Sequence, residues 1–177
     1  MARKNSRPWE HWDDPGVALK IDRYWRTFNS ELEHRKALAA CFRQFTDEND
    51  QVLEVGCGSG FFYEAIKDYL VPRNYLGIDT SIEMIRLAQE RHPTVHFEYG
   101  DAHKLHFAND EFHTACAFEV FCHLPDPVEP IRELVRVAKD TALFSLWISD
   151  GKSVKEVRED GFIYWTYSMD WAKSTLH

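Results

Sequence analysis

Gly56, Gly58 and Gly60 stand in the run Glu54-Val55-Gly56-Cys57-Gly58-Ser59-Gly60. Glycines at this spacing let the backbone turn sharply and approach a ligand with no Cβ in the way. A dinucleotide fingerprint is G-x-G-x-x-G, which brings a pyrophosphate to a helix N-terminus. Here the spacing is G-x-G-x-G, and Phe61 stands where the fingerprint needs its last glycine. A nicotinamide-dependent oxidoreductase therefore lacks its motif. Glu54 precedes the turn; a carboxylate there opposes a pyrophosphate but suits a ligand carrying an ammonium group. The same glycines also fit a tight structural turn.

Further polar residues follow at intervals. Asp79, in Leu76-Gly77-Ile78-Asp79-Thr80-Ser81, comes about 20 residues after the turn, where an acidic side chain can accept from both hydroxyls of a ribose. The competing role is a helix cap, for which Thr80 is better placed. Gly100-Asp101-Ala102 reads as a surface turn or a second ligand contact. In Phe118-Glu119-Val120-Phe121-Cys122-His123-Leu124-Pro125-Asp126, His123 is a candidate base, since imidazole titrates near neutral pH. A lone histidine also serves structurally. His103-Lys104-Leu105-His106 is a weak metal pair with no third ligand, so no metal is expected.

The elements that must position these residues alternate. Apolar strands are expected at 51–55, 75–78, 95–99, 113–118 and 142–148. Helices are expected at 30–45, capped by Ser30, at 61–70, from the capping box Thr80-Ser81-Ile82-Glu83 to about Arg91, and at 127–138 with Pro127 in the first turn. Several strands are continuously apolar, as when helices cover both faces. The pattern predicts an α/β fold with a doubly wound, mainly parallel Rossmann-like sheet. Pro8, Pro15 and Gly16 argue against one continuous helix over the first thirty residues. At the other end, 161–167 is strand-like and 168–176 helix-like. The expected organisation is an aromatic and helical lid segment at 1–46, a ligand-binding core at 47–150, and a C-terminal extension of the same domain at 151–177.

The chain has 177 residues, enough for one domain with a real core. Its net charge of −8 makes nucleic acid a poor expectation as substrate. The basic N-terminus lacks an apolar stretch behind it, no apolar run is long enough to span a bilayer, and the four cysteines form no C-x-x-C pair. These features lead us to expect a cytoplasmic protein with reduced thiols and no membrane partner.

From about Val52 to Ile148 the sequence resembles the class I S-adenosylmethionine-dependent methyltransferases, in particular their small-molecule, type 11-like branch. Val52-Leu53-Glu54-Val55-Gly56-Cys57-Gly58-Ser59-Gly60 carries the closest match. The resemblance implies S-adenosylmethionine as cofactor, S-adenosylhomocysteine as product and a small-molecule acceptor that these residues do not identify. It implies that Glu54, Gly56, Cys57, Gly58 and Gly60 wrap the methionine part, with Glu119 and Val120 beside it. Asp79 with Thr80 takes the ribose, and Asp101 takes the adenine amino group with Ala102 near. Met84 packs on the adenine or is a core methionine. Tyr24 and Trp25 are the candidates for a lid, while Trp9 and Trp12 fit packing on the sheet as well. His123 orients or deprotonates the acceptor, or is structural. A sulfonium already carries an activated methyl group, so the protein's task is alignment, worth about 7–11 kcal/mol in favourable cases. One departure stands out: related enzymes usually carry two further strands ending in an antiparallel hairpin, so either the tail after the fifth strand diverges or the sequence is a piece of a longer protein, and the sheet edge left there is one that a partner subunit, as in a homodimer, can cover. The alternative function is a non-catalytic module that keeps the fold and serves regulation or assembly.

Overall fold

A computed structural model describes residues 10–158 and 162–176. Trp9 and Gly161, both part of the expectations above, lie outside them.

Five strands form the central sheet: β1 (Val52–Val55), β2 (Tyr75–Asp79), β3 (His96–Tyr99), β4 (Phe112–Ala117) and β5 (Ala138–Phe144). Their order is β3-β2-β1-β4-β5, and every pairing is parallel. The helices are α1 (Pro15–Thr27), α2 (Asn29–Phe45), α3 (Phe61–Ile66), α4 (Ile82–Arg91) and α5 (Val128–Val137). The expected doubly wound parallel sheet is therefore present. Side chains alternate across it. Val52 joins Phe42, Phe62, Ile66, Tyr75 and Ile85 under α2, α3 and α4, whereas Leu53 and Val55 join Ile78, Ala115, Leu134 and Val137 under α5. Each fully buried Leu, Ile or Phe contributes about 1.5–3 kcal/mol.

Several boundaries differ from the sequence reading. Ser81, not Thr80, caps α4: its Oγ accepts from Met84 N at 3.2 Å. The extended β2 runs on through Asp79, so the helix begins one residue later than the capping box implies. Ser30 is no cap either. A single residue, Phe28, ends α1 and opens α2, and it has no side-chain capping bond. Pro127 sits at the N-cap of α5, and Asp126 Oδ1 accepts from Val128 N at 3.0 Å. The fifth strand starts at Ala138, directly after α5, because it must pair with β4 from Phe112 onward. As expected, no single helix runs through the described part of the first thirty residues; Pro15 is the first residue of α1, where Asp14 Oδ1 accepts from Gly16 N and Val17 N at 2.9 and 3.0 Å.

Beyond β5 lie β6 (Ile148–Ser149), β7 (Val154–Val157), β8 (Ile163–Ser168) and α6 (Met169–Thr175). These strands form a separate sheet in the order β6-β8-β7, with β7 and β8 antiparallel. Among the described residues β5 pairs only with β4, so the five-stranded sheet keeps an open edge there.

Candidate functional site

The residues following β1, β2, β3 and β4 converge on one cleft beyond the carboxyl ends of these strands. This is where open α/β sheets bind ligands, near the reversal of strand order between β1 and β4. The cleft holds about 880 Å3 of empty space, counted out to its open mouth.

The glycine-rich turn forms its floor. Gly56 N and Cys57 N both donate to Ile78 O, at 2.8 and 2.9 Å, which ties the turn to β2. Gly56 has φ +72°, and a Cβ there would lie 2.2 Å from Val120 Cγ2. Gly58 has φ +53°, and its bare face lies under the Trp25 ring. These two positions need glycine for conformation and for space. Gly60 differs: its open side faces His92 and Phe97 in the packing, and it does not line the cleft.

Asp79 closes β2 and lines the cleft. Its Oδ2 accepts from Gly58 N at 2.9 Å and its Oδ1 from Ser81 N at 2.8 Å. Burial raises its pKa, and these backbone donors oppose the rise. A carboxylate has about four acceptor positions, so each oxygen keeps capacity for a further donor. Thr80 and Met84 line the same wall. Met84 also packs with Ala18 and Leu87, so it belongs to the core and to the cleft together. Across from them are Asp101 and Ala102. Asp101 Oδ1 accepts from His103 N at 2.9 Å and faces His103 Nδ1 at 2.9 Å.

The segment after β4 supplies Glu119, Val120 and His123. Glu119 has φ +59°, a left-handed backbone unusual for a side chain of this kind. The bend is held at both ends. Its N–H donates to Ser145 Oγ at 2.7 Å, and its carboxylate accepts from Ser145 Oγ and Trp147 Nε1, both at 2.9 Å. His123 Nδ1 lies 3.2 Å from Ile163 O. Burial lowers the His123 pKa, against the pull of that carbonyl and of Glu119 and alongside the push of Arg158.

Besides Gly60, two expected residues are not at the cleft. Glu54 is fully buried beneath it and accepts from the Tyr75 hydroxyl. Tyr24 is exposed and packs on Phe28 with ring centroids 4.2 Å apart. Trp25 does line the cleft, together with Trp12.

Arg35 is the residue the sequence reading missed. It lines the cleft, is only 8% exposed, and lies with its guanidinium 4.4 Å from the Phe61 ring centroid. Its buried Nε has no hydrogen-bond partner among the described residues. Burial lowers its pKa, and the carboxylates of Glu54, Glu119 and Glu31 oppose this from a distance. A buried guanidinium with an unmet donor is a ready site for an anion. A signal was there: Arg35 interrupts the stripe Leu32, Ala39, Phe42, where α2 otherwise faces the core.

Comparison with known proteins gives the family and the fold. Residues 53–146 match the family model described as a methyltransferase domain. The chain is 29% identical over 130 residues to a probable S-adenosylmethionine-dependent methyltransferase of Mycolicibacterium smegmatis, covering 73% of this chain and 46% of that protein. It is 27% identical over 123 residues to a demethylmenaquinone methyltransferase of Chlorobaculum parvum, covering 70% and 48%. This chain thus spans less than half the length of these relatives. A Pyrococcus horikoshii protein of known structure shares the fold with a TM-score of 0.66 at 21% identity, over 86% of this chain and 87% of that one.

Proposed function

We propose, from the premise that this chain belongs to the class I S-adenosylmethionine-dependent methyltransferases in their type 11-like branch, that it binds S-adenosylmethionine in the cleft and passes its methyl group to a small-molecule acceptor. One observation carries the reading: a single cleft brings together Asp79, Asp101 and the buried, unmet Arg35 over a glycine floor. These groups fit the parts of such a cofactor. Asp79 suits the ribose hydroxyls, Asp101 the adenine amino group, and Arg35 the methionyl carboxylate. Gly56 and Gly58 let the backbone approach the chain between them. Thr80, Met84, Ala102, Glu119, Val120 and Trp25 complete the contact surface, and Cys57 is held as a buried thiol in the turn.

The bound sulfonium would supply the activated methyl group. The protein's own residues bind, orient and exclude water. His123 is placed to hold or remove an acceptor proton.

Calorimetry with S-adenosylhomocysteine tests the cofactor site. Asp79→Ala should weaken binding at least tenfold, as expected for loss of a charged hydrogen-bond acceptor. Arg35→Met should weaken S-adenosylhomocysteine similarly but leave 5′-methylthioadenosine, which has no carboxylate, nearly unaffected. No binding by the wild-type protein refutes the cofactor reading. Equal losses for both ligands in Arg35→Met refute the carboxylate assignment.

A further inference from the structure

One part of the cleft's lining is made largely of rings. Trp12, Trp25, Phe118, His123 and Leu124 line this part. Trp12 stacks on Trp25 at 5.8 Å and meets His123 edge-on at 5.3 Å. Its place is fixed from outside: Ser81 Oγ donates to Trp12 O at 2.8 Å, and Asp13 Oδ1 accepts from Ile82 N at 2.9 Å. Tyr164 packs on His123 at 4.8 Å.

His123 is the one titratable side chain of this wall, and its state is set by its neighbours. The Ile163 carbonyl only accepts, so His123 Nδ1 carries the hydrogen and Nε2 keeps a lone pair. No hydrogen bond to Nε2 occurs among the described residues. Burial, helped by Arg158, outweighs the Ile163 carbonyl and Glu119 and favours the neutral imidazole.

Glu119 is held at this end by hydrogen bonds. Glu119 Oε1 accepts from Ser145 and faces His34 Nε2 at 3.3 Å, and Oε2 accepts from Trp147. A carboxylate acceptor would meet the like charge of Glu119 and lose its hydration, and an ammonium would find only Glu119, whose oxygens are already engaged by Ser145, Trp147 and His34. A flat, uncharged ring would instead gain offset or edge contacts with the aromatic walls.

We propose that the methyl acceptor is a neutral planar ring bearing a weakly acidic O–H or N–H, seated against Trp12 and Leu124 with that hydrogen directed at His123 Nε2. This rests on the cofactor reading above. In the transfer, the acceptor's O–H or N–H bond breaks and its proton passes to Nε2. The acceptor's electron pair forms the new bond to the methyl carbon as the methyl–sulfur bond breaks, and that pair stays on sulfur as a neutral thioether. His123 is thus assigned as the base for a phenol-like acceptor.

The probe is 4-nitrophenol, titrated below its ionisation pH into the S-adenosylhomocysteine complex and followed by quenching of tryptophan fluorescence. 4-Nitroanisole, 4-nitrobenzoate and phenethylamine serve as comparisons. Wild-type protein should bind 4-nitrophenol saturably, and about tenfold more tightly than 4-nitroanisole, which lacks the hydrogen. His123→Leu should erase this preference while keeping its affinity for S-adenosylhomocysteine; His123→Asn is the second variant if the first fails to fold. A phenol-to-anisole ratio unchanged by both variants overturns the assignment, since a structural histidine would alter both ligands alike. Tighter binding of the carboxylate or the amine overturns the acceptor class, and so does absence of phenol binding to a complex that calorimetry shows is loaded. Failure of S-adenosylhomocysteine itself to bind removes the cofactor reading and this inference with it.

Discussion

Glu54 is read from sequence as a ligand-facing carboxylate, yet it lies on the same side of β1 as Val52, under the helices, with Tyr75 donating to it. Burial pushes its pKa up to about 8 from an ordinary 4.5, against the Tyr75 hydroxyl and Arg35, while Asp79 adds to the rise. An acid held above its unfolded value binds its proton more tightly in the fold. Its contribution to stability is full below about 4.5 and is lost as pH climbs through about 8. Glu54→Gln should therefore flatten the fall in Tm across that window, measured by thermal unfolding of both proteins at a series of pH values. Parallel curves would show that Glu54 does not titrate there. The spacing of the glycine turn was legible because φ-positive turns demand glycine. The side on which Glu54 points was not, since a strand buried on both faces gives no polar alternation to set its phase.

At the level of elements, α1 is held over the glycine turn by a buried carboxylate. Asp22 is fully buried; its Oδ1 accepts from Arg26 Nε at 2.9 Å and Ser59 Oγ at 2.6 Å, and its Oδ2 pairs with Arg91 of α4. Arg26 in turn reaches Glu64 of α3. One side chain thus fastens the first helix to the turn and to α4, and so sets where Trp25 lies above Gly58. Asp22→Asn takes the charge partner from Arg91 and leaves Arg26 with Glu64 alone; breaking a buried pair from one side costs about 3–5 kcal/mol, and the part exposure of both arginines puts the loss at or below the low end of that range. Urea unfolding should show that loss, with faster proteolysis within 15–27 under native conditions. A variant as stable and as protected as wild type would remove Asp22 from this role. The helix itself escaped the sequence reading because Pro15 and Gly16 look like breakers, although a proline at the first helical position is favourable. Ala18, Asp22 and Trp25 lie on one stripe of α1, so the buried acid was marked by its position among apolar residues.

On the scale of the whole molecule, the five-stranded sheet was legible because its strands are short apolar runs separated by helices. Of the second sheet only β8 was: β6 is two residues long, and β7 is exposed throughout, so neither carries a burial pattern. Yet this small sheet is joined to the cleft. The Tyr167 hydroxyl on β8 donates to the carbonyls of Phe121, at 2.8 Å, and Leu124, and Ile163 on the same strand accepts from His123. The turn after β4 is thereby fixed from outside the sheet that produces it. Tyr167→Phe keeps the ring stacked on Trp171 at 4.6 Å and removes only the hydroxyl. Leaving buried carbonyls short of a donor costs about 1–3 kcal/mol, so the Tm should fall. Asp79, Asp101 and Arg35 stand on the central sheet and its helices, and distant sites act nearly independently. Affinity for S-adenosylhomocysteine should then change by less than about twofold, while 4-nitrophenol binding near His123 weakens severalfold. Equal losses for both ligands would mean that the second sheet supports the entire cleft and not only the wall that carries His123.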